Sequence, residues 1–142
     1  MGRILAIDPG KKRVGLALSD LLKMIATPLK LLYIENREKL VQELITIIKE
    51  HNVERVVIGF PVREDGEESP GCEDARHLLG LLQDKDIDAV LWDERYSSKI
   101  AQNILRESGI KAKNSRDKLD AVAASVLLEN YLTYYKRNEG KG

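Results

Sequence analysis

The chain has a single cysteine, Cys72, and only two histidines, His51 and His77, among 142 residues. One thiol excludes an internal disulfide and a zinc knuckle, and it points to a reducing cytosol. The histidines lie in helical segments at unrelated spacing, which marks them as surface residues. Long hydrophobic runs are also lacking. The longest is strand-length, well short of the roughly 18 residues of a membrane span, and no signal peptide is seen. Net charge is lacking too: 23 basic residues face 23 acidic ones. That argues against a bulk nucleic-acid coat protein, because such binding draws on many phosphate contacts. No Gly-x-x-x-x-Gly-Lys-Ser/Thr loop, repeat or low-complexity linker occurs.

What is present describes one globular domain over residues 1–142, 43% apolar and 32% charged. Ile4-Leu5-Ala6-Ile7 reads as a buried strand, Pro9-Gly10-Lys11-Lys12 as a turn, and Val14 to Leu18 as its hairpin partner. A third strand is expected within Met24 to Ile34, with Pro28 marking an edge or bulge. Asn36 caps a helix striped by Leu40, Val41, Leu44, Ile45 and Ile48, which ends near Asn52. Val56-Val57-Ile58 is a short apolar strand closed by Gly59. Ser69 and Pro70 start a helix buried through Ala75, Leu78, Leu79 and Leu82. Ile87 to Trp92 is the fifth strand, Ser97 or Ser98 opens a helix ending at Gly109, and a last helix runs from about Arg116 to Tyr135. Short turns force the first three strands to be antiparallel, and the helical crossovers make the later ones parallel. The fold class is therefore α/β: a five-stranded mixed sheet flanked by helices, with its site beyond the carboxyl ends of the parallel strands.

Three acids stand where a core would reject them: Asp8 after the first strand, Glu94 after the fifth, and Asp120 on the apolar face of the last helix ahead of Ala124, Leu127 and Tyr131. An ionised carboxylate beside a core costs several kcal/mol unless it is compensated. Each acid also has a simpler reading: a turn residue for Asp8, a salt-bridged strand end for Glu94, and a first-turn helix acid for Asp120. Together they suggest a shared divalent cation. Oxygen ligands without nearby histidine or cysteine favour Mg²⁺ or Mn²⁺, and two such ions would serve phosphoryl transfer. Basic clusters flank the acids, with Lys11, Lys12 and Arg13 after Asp8, and Lys111, Lys113, Arg116 and Lys118 before Asp120.

Asp8-Pro9-Gly10, followed by Arg13-Val14-Gly15-Leu16-Ala17 and Ser19-Asp20, resembles the opening motif of the YqgF (RuvX) family. Gly59-Phe60-Pro61 with Asp65-Gly66 is similar to that family's Gly-x-Pro loop. Asp93-Glu94-Arg95-Tyr96-Ser97-Ser98 resembles its Asp-Glu-Arg strand end, and Lys118-x-Asp120 before Ala123-Ala124 its final helix. The resemblance implies an RNase H-like fold related to the RuvC Holliday-junction resolvases. It also implies a nuclease assigned to maturing the 5′ end of precursor 16S ribosomal RNA, with Asp8, Glu94 and Asp120 as metal-binding catalytic acids. One departure is Arg63, where family members often carry asparagine two residues after the loop proline.

In chemical terms Asp8 is the candidate to bridge two ions, with Glu94 and Asp120 each completing one shell. Asp117 is either a fourth ligand or a helix N-terminal acid. Arg13, Lys113, Arg116 and Lys118 are the expected phosphate contacts, and Arg95 either joins them or pairs with Asp93 or Glu94. The expected partner is nucleic acid, precursor ribosomal RNA ahead of DNA junctions, within pre-ribosomal particles and the cytoplasm, with the protein a monomer or homodimer. Rival readings are an actin-like ATPase domain, a non-catalytic RNA-binding module and a junction resolvase, the last needing paired sites on a two-fold dimer.

Overall fold

The computed structural model describes residues 2–10, 12–63, 65–93 and 112–138, with side chains of the last segment described from 122 to 135. The elements run β1 (Arg3–Asp8), β2 (Arg13–Ser19), β3 (Ala26–Tyr33), α1 (Arg37–Glu50), β4 (Val53–Phe60), α2 (Pro70–Gln83), β5 (Ala89–Asp93) and α3 (Ala112–Asn138). They form one five-stranded sheet in the order β3-β2-β1-β4-β5. β1–β2 and β2–β3 are antiparallel, whereas β1–β4 and β4–β5 are parallel. The mixed sheet expected from the sequence is present.

Strand alternation divides the core in two. Leu5, Ile7, Val14, Leu16, Val56 and Ile58 face α1 and α2, meeting Leu40, Leu44, Ala75, Leu78 and Leu82. Ile4, Ala6, Ala17 and Val57 face the other way, onto Ala124, Leu127, Leu128, Tyr131 and Leu132 of α3. Ala6 and Ala17 are register partners. Two methyl groups side by side leave room for Ala124, itself fully buried, so α3 lies close on the sheet.

Local signals explain most of the boundaries. Asn36 Oδ1 accepts the Lys39 amide at 2.8 Å and caps α1. Asn52, just beyond the helix, takes the left-handed conformation with φ 54°. Pro28 sits on the edge strand β3, where the register shifts opposite Leu16 and Ala17, so it marks both an edge and a bulge.

Three boundaries depart from expectation. Gly59 does not close β4, because Gly59 and Phe60 pair with Trp92 and Asp93. Ile87 is not in β5; its amide bonds the carbonyl of Leu82 at 3.1 Å, in the turn that closes α2. Ser69 precedes Pro70 as expected but makes no side-chain cap, its hydroxyl donating instead to the carbonyl of Pro61 at 2.6 Å. Helix α3 begins at Ala112, ahead of the expected start near Arg116. Ala112 and Lys113 are good helix formers and extend it in that direction. The helix expected between Ser97 and Gly109 lies outside the described residues.

The direction of α3 follows from its C-terminal half. Arg55, the register partner of Ile4 near the start of β1, donates to the Tyr131 hydroxyl at 2.7 Å. Lys23, in the β2–β3 turn, lies 5.7 Å from the centre of the Tyr135 ring. The C-terminal half of α3 thus lies where β1 begins, so the helix runs antiparallel to β1 with its N-terminal end toward the rim that holds Asp8.

Candidate nucleic-acid cleavage site

β1 ends at Asp8, which is half-buried and paired in register with Gly15. Ile7 packs toward α1 and α2, so Asp8 belongs to the alternation of Ile4 and Ala6, on the face that carries α3. The Pro9-Gly10 turn beyond it is tight. A Cβ on Gly10 would stand 2.5 Å from the carbonyl oxygen of Arg13, so only glycine fits.

Arg13 opens β2 on the same face, because its neighbour Val14 is buried toward α1 and α2. Tyr33, at the end of β3, is the register partner of Arg13 and is 62% exposed. Asp8, Arg13 and Tyr33 therefore fall on one face at one rim, across three adjacent strands. Nothing in the sequence alone singles out Tyr33. Its placement depends on the β2–β3 register, which includes the bulge opposite Leu16 and Ala17.

The neighbouring loop is braced. After Phe60 the chain forms a small hairpin: Val62 bridges Glu68, the Arg63 amide bonds the Glu67 carbonyl at 2.8 Å, and Gly66 completes the turn at φ 90°. Arg76 of α2 pairs with Glu68 and lies 5.0 Å from the centre of the Phe60 ring. That pairing holds the Glu68 carboxyl below its ordinary range. Arg63, the departure from the family pattern, is exposed in this hairpin.

Two clefts open beside the Pro9-Gly10 turn. One of about 90 Å³ has Val14, Leu40 and Leu78 in its walls, with Arg37 and Asp74 at its mouth. The other, of about 160 Å³, lies between Gly10 and the Pro61, Ser69 and Gly71 segment. Neither cleft has histidine or cysteine in its walls. Arg37 spans α1 to α2, reaching Asp74 Oδ1 at 2.9 Å and His77 Nδ1 at 2.6 Å. His77 is thus an exposed surface residue, as expected.

The remaining expected site residues divide as follows. Lys113, Arg116, Asp117, Lys118 and Asp120 lie on α3, whose description at those positions is of the backbone. Lys11, Glu94, Arg95, Ser97, Ser98 and Lys111 are outside the described residues. Among the described residues no three carboxylate, imidazole or thiol groups gather closely enough to hold an ion; of the three acids, only Asp8 has a described side chain. No described helix is long and apolar enough to cross a membrane.

Two motif residues have a different role. Ser19 is 2% exposed at the opposite end of the sheet from Asp8, and its hydroxyl accepts the Ile4 amide at 2.8 Å. Asp20 Oδ1 accepts the amides of Met24 at 2.7 Å and Ile25 at 3.0 Å, which shapes the β2–β3 turn. They build the fold rather than the rim.

Comparison with known proteins agrees with this architecture. The sequence profile of the RuvX family, described as Holliday junction resolvase, matches residues 2–134. A protein of Amoebophilus asiaticus provisionally named a pre-16S rRNA nuclease is 39% identical, covering 97% of this chain and 99% of its own. One of Halothermothrix orenii with the same name is 32% identical over 97% and 99%. RuvC of T. thermophilus bound to a Holliday junction shares the fold at TM-score 0.59 and 13% identity, over 98% of this chain and 97% of that one. The Fowlpox virus resolvase bound to junction DNA does so at TM-score 0.54 and 16% identity, over 93% and 97%. With its RNase H-like sheet and a family match spanning nearly every residue, the chain belongs to the RuvX family of phosphodiester-cleaving nucleases.

Proposed function

We propose that the chain cleaves a precursor of 16S ribosomal RNA, using Asp8, Glu94 and Asp120 to hold two Mg²⁺ or Mn²⁺ ions. What supports this reading is the place of Asp8 on the α3 face, to which the sequence pattern assigns Glu94 and Asp120 as well. Asp8 continues the Ile4 and Ala6 alternation on the α3 face. In sequence, Glu94 extends the alternation of Val90 and Trp92, which pack in the same layer, and Asp120 extends the stripe of Ala124, Leu127 and Tyr131. Asp120 precedes Tyr131 by eleven residues, about 16 Å of helix, and Asp8 lies four residues beyond Ile4, about 13 Å of strand. That Tyr131 meets Arg55 beside Ile4 supports placing both acids at one rim.

The donor set fits the ions, being three carboxylates with no histidine or cysteine near them in sequence. Ions held there would supply activation of a water and stabilisation of the leaving oxygen. Asp8, fixed in a central strand, would be one of the residues holding them. Arg13, Lys113, Arg116 and Lys118 grip phosphates on either side of the acids, in a protein without net charge to attract nucleic acid generally.

Precursor ribosomal RNA is favoured by the provisional name that the full-length relatives carry. It suits a cytoplasmic enzyme acting on pre-ribosomal particles as a monomer or homodimer. A DNA four-way junction is the second reading, favoured by the family description. Incubating purified protein and Mn²⁺ with labelled precursor RNA, single-stranded DNA and a four-way junction separates them. Cleavage of the precursor RNA alone is expected; cleavage of the junction alone overturns the substrate, and no cleavage of any of them overturns the enzymatic reading.

A further inference from the structure

We propose that Tyr33, with Arg13 beside it, is a stacking platform for an unpaired base of the substrate strand, next to the nucleotide being cut. This deepens the nuclease reading above and rests on it. Tyr33 is the cross-strand partner of Arg13 and shares the Asp8 face of the sheet. Two strand spacings separate β3 from β1, about 10 Å, so a nucleotide neighbouring the cleaved one reaches the ring.

The other described aromatics each have a ring or cation partner. Trp92 lies 5.4 Å from Tyr131 and 5.1 Å from Tyr134, ring centre to ring centre, and Tyr135 stands 6.5 Å from Tyr131. Phe60 lies under Arg76. Tyr33, by contrast, leaves more than half its surface to solvent while its neighbour Leu32 is buried. A large exposed ring at the end of an edge strand gains nothing for the core. Beside a guanidinium, at the rim of a phosphodiester site, it has the composition of a single-strand platform: a π-face for the base and a cation for the backbone. Stacking needs an open base face, which a paired duplex does not offer, so the substrate class is an unpaired segment.

The test uses the full chain in chelator, so that binding is read without cleavage, with a fluorescent RNA octamer, an abasic octamer and a duplex as probes. Tyr33→Ala should weaken octamer binding about tenfold and leave the abasic and duplex affinities as in wild type. Tyr33→Phe should keep wild-type affinity for all three. Equal octamer affinity for wild type and Tyr33→Ala, or equal losses on the octamer and abasic probes, overturns the platform. Cleavage with Mn²⁺ is measured in parallel. A base-dependent loss in a protein that cleaves nothing keeps the platform and removes the nuclease reading, whereas cleavage with base-independent binding does the reverse.

Discussion

The hydroxyl of Ser19 holds the amide of Ile4 at 2.8 Å, closing β2 onto β1 at the end of the sheet opposite Asp8. Ser19 also donates to the Asp20 carbonyl at 2.9 Å, so one buried oxygen satisfies two backbone groups. Ser19→Ala leaves the Ile4 amide buried without that acceptor, and a loss of about 1–3 kcal/mol is expected. Urea denaturation should show the loss, while activity per folded molecule stays at the wild-type level. A variant as stable as wild type but inactive would transfer Ser19 to the catalytic machinery.

Asp20 gives a pH signature. The Ile25 amide, then that of Met24, holds its carboxyl below the ordinary value of 3.8. A depressed folded pKa stabilises the native state above the unfolded value, and that contribution disappears as pH falls through the folded one. Asp20→Asn should therefore flatten the fall in Tm below about pH 4. An unchanged acid limb would show that the turn draws nothing from the charge.

Each of Asp8→Asn, Glu94→Gln and Asp120→Asn should reduce cleavage at least about a hundredfold, the loss typical when one electrostatic contribution to a transition state is removed. If the acids act as one unit, a double variant is barely worse than a single one. Single-turnover cleavage measures both. Full activity in Asp8→Asn would remove the mechanism.

Arg13, Lys113, Arg116 and Lys118 should each lower affinity for substrate when changed to alanine. Every lost phosphate contact reduces the salt slope of binding by roughly one unit. An unaltered slope in all four variants would mark them as solvated surface.

Metal and stability are linked. Mn²⁺ at about ten times its Kd should stabilise the folded state by about 1.4 kcal/mol and raise Tm by roughly 3–6 °C. Asp8→Asn should abolish that rise and, in chelator, melt no lower than wild type, because the carboxylates of the proposed site would repel each other. A variant that melts lower in chelator would make Asp8 a structural residue instead.

Alternation and caps made much of the fold legible in advance. Leu5 and Ile7 against Ile4 and Ala6 define two faces before any coordinates, and Asn36 marks the start of α1. What stayed hidden depended on pairing. β4 runs past Gly59 only because β5 is there to receive it, and Tyr33 joins Arg13 only in the bulged register of β2 and β3. The start of α3 lies ahead of Arg116 because the helix formers Ala112 and Lys113 extend it. At the site, Asp8 stands where its sequence context put it. Ser19 and Asp20 belong to the same motif, yet strand direction carries them to the far end of the sheet.

Among the described residues α3 is the only helix on its face of the sheet, and it lies last in the chain. During synthesis the strands and the α1–α2 layer emerge well before it. Until α3 docks, Ile4, Ala6, Ala17 and Val57 remain bare, and in the proposed site Asp8 lacks the carboxylate of Asp120. One docking event therefore seals the hydrophobic layer and, in the proposed site, brings the last carboxylate to the rim.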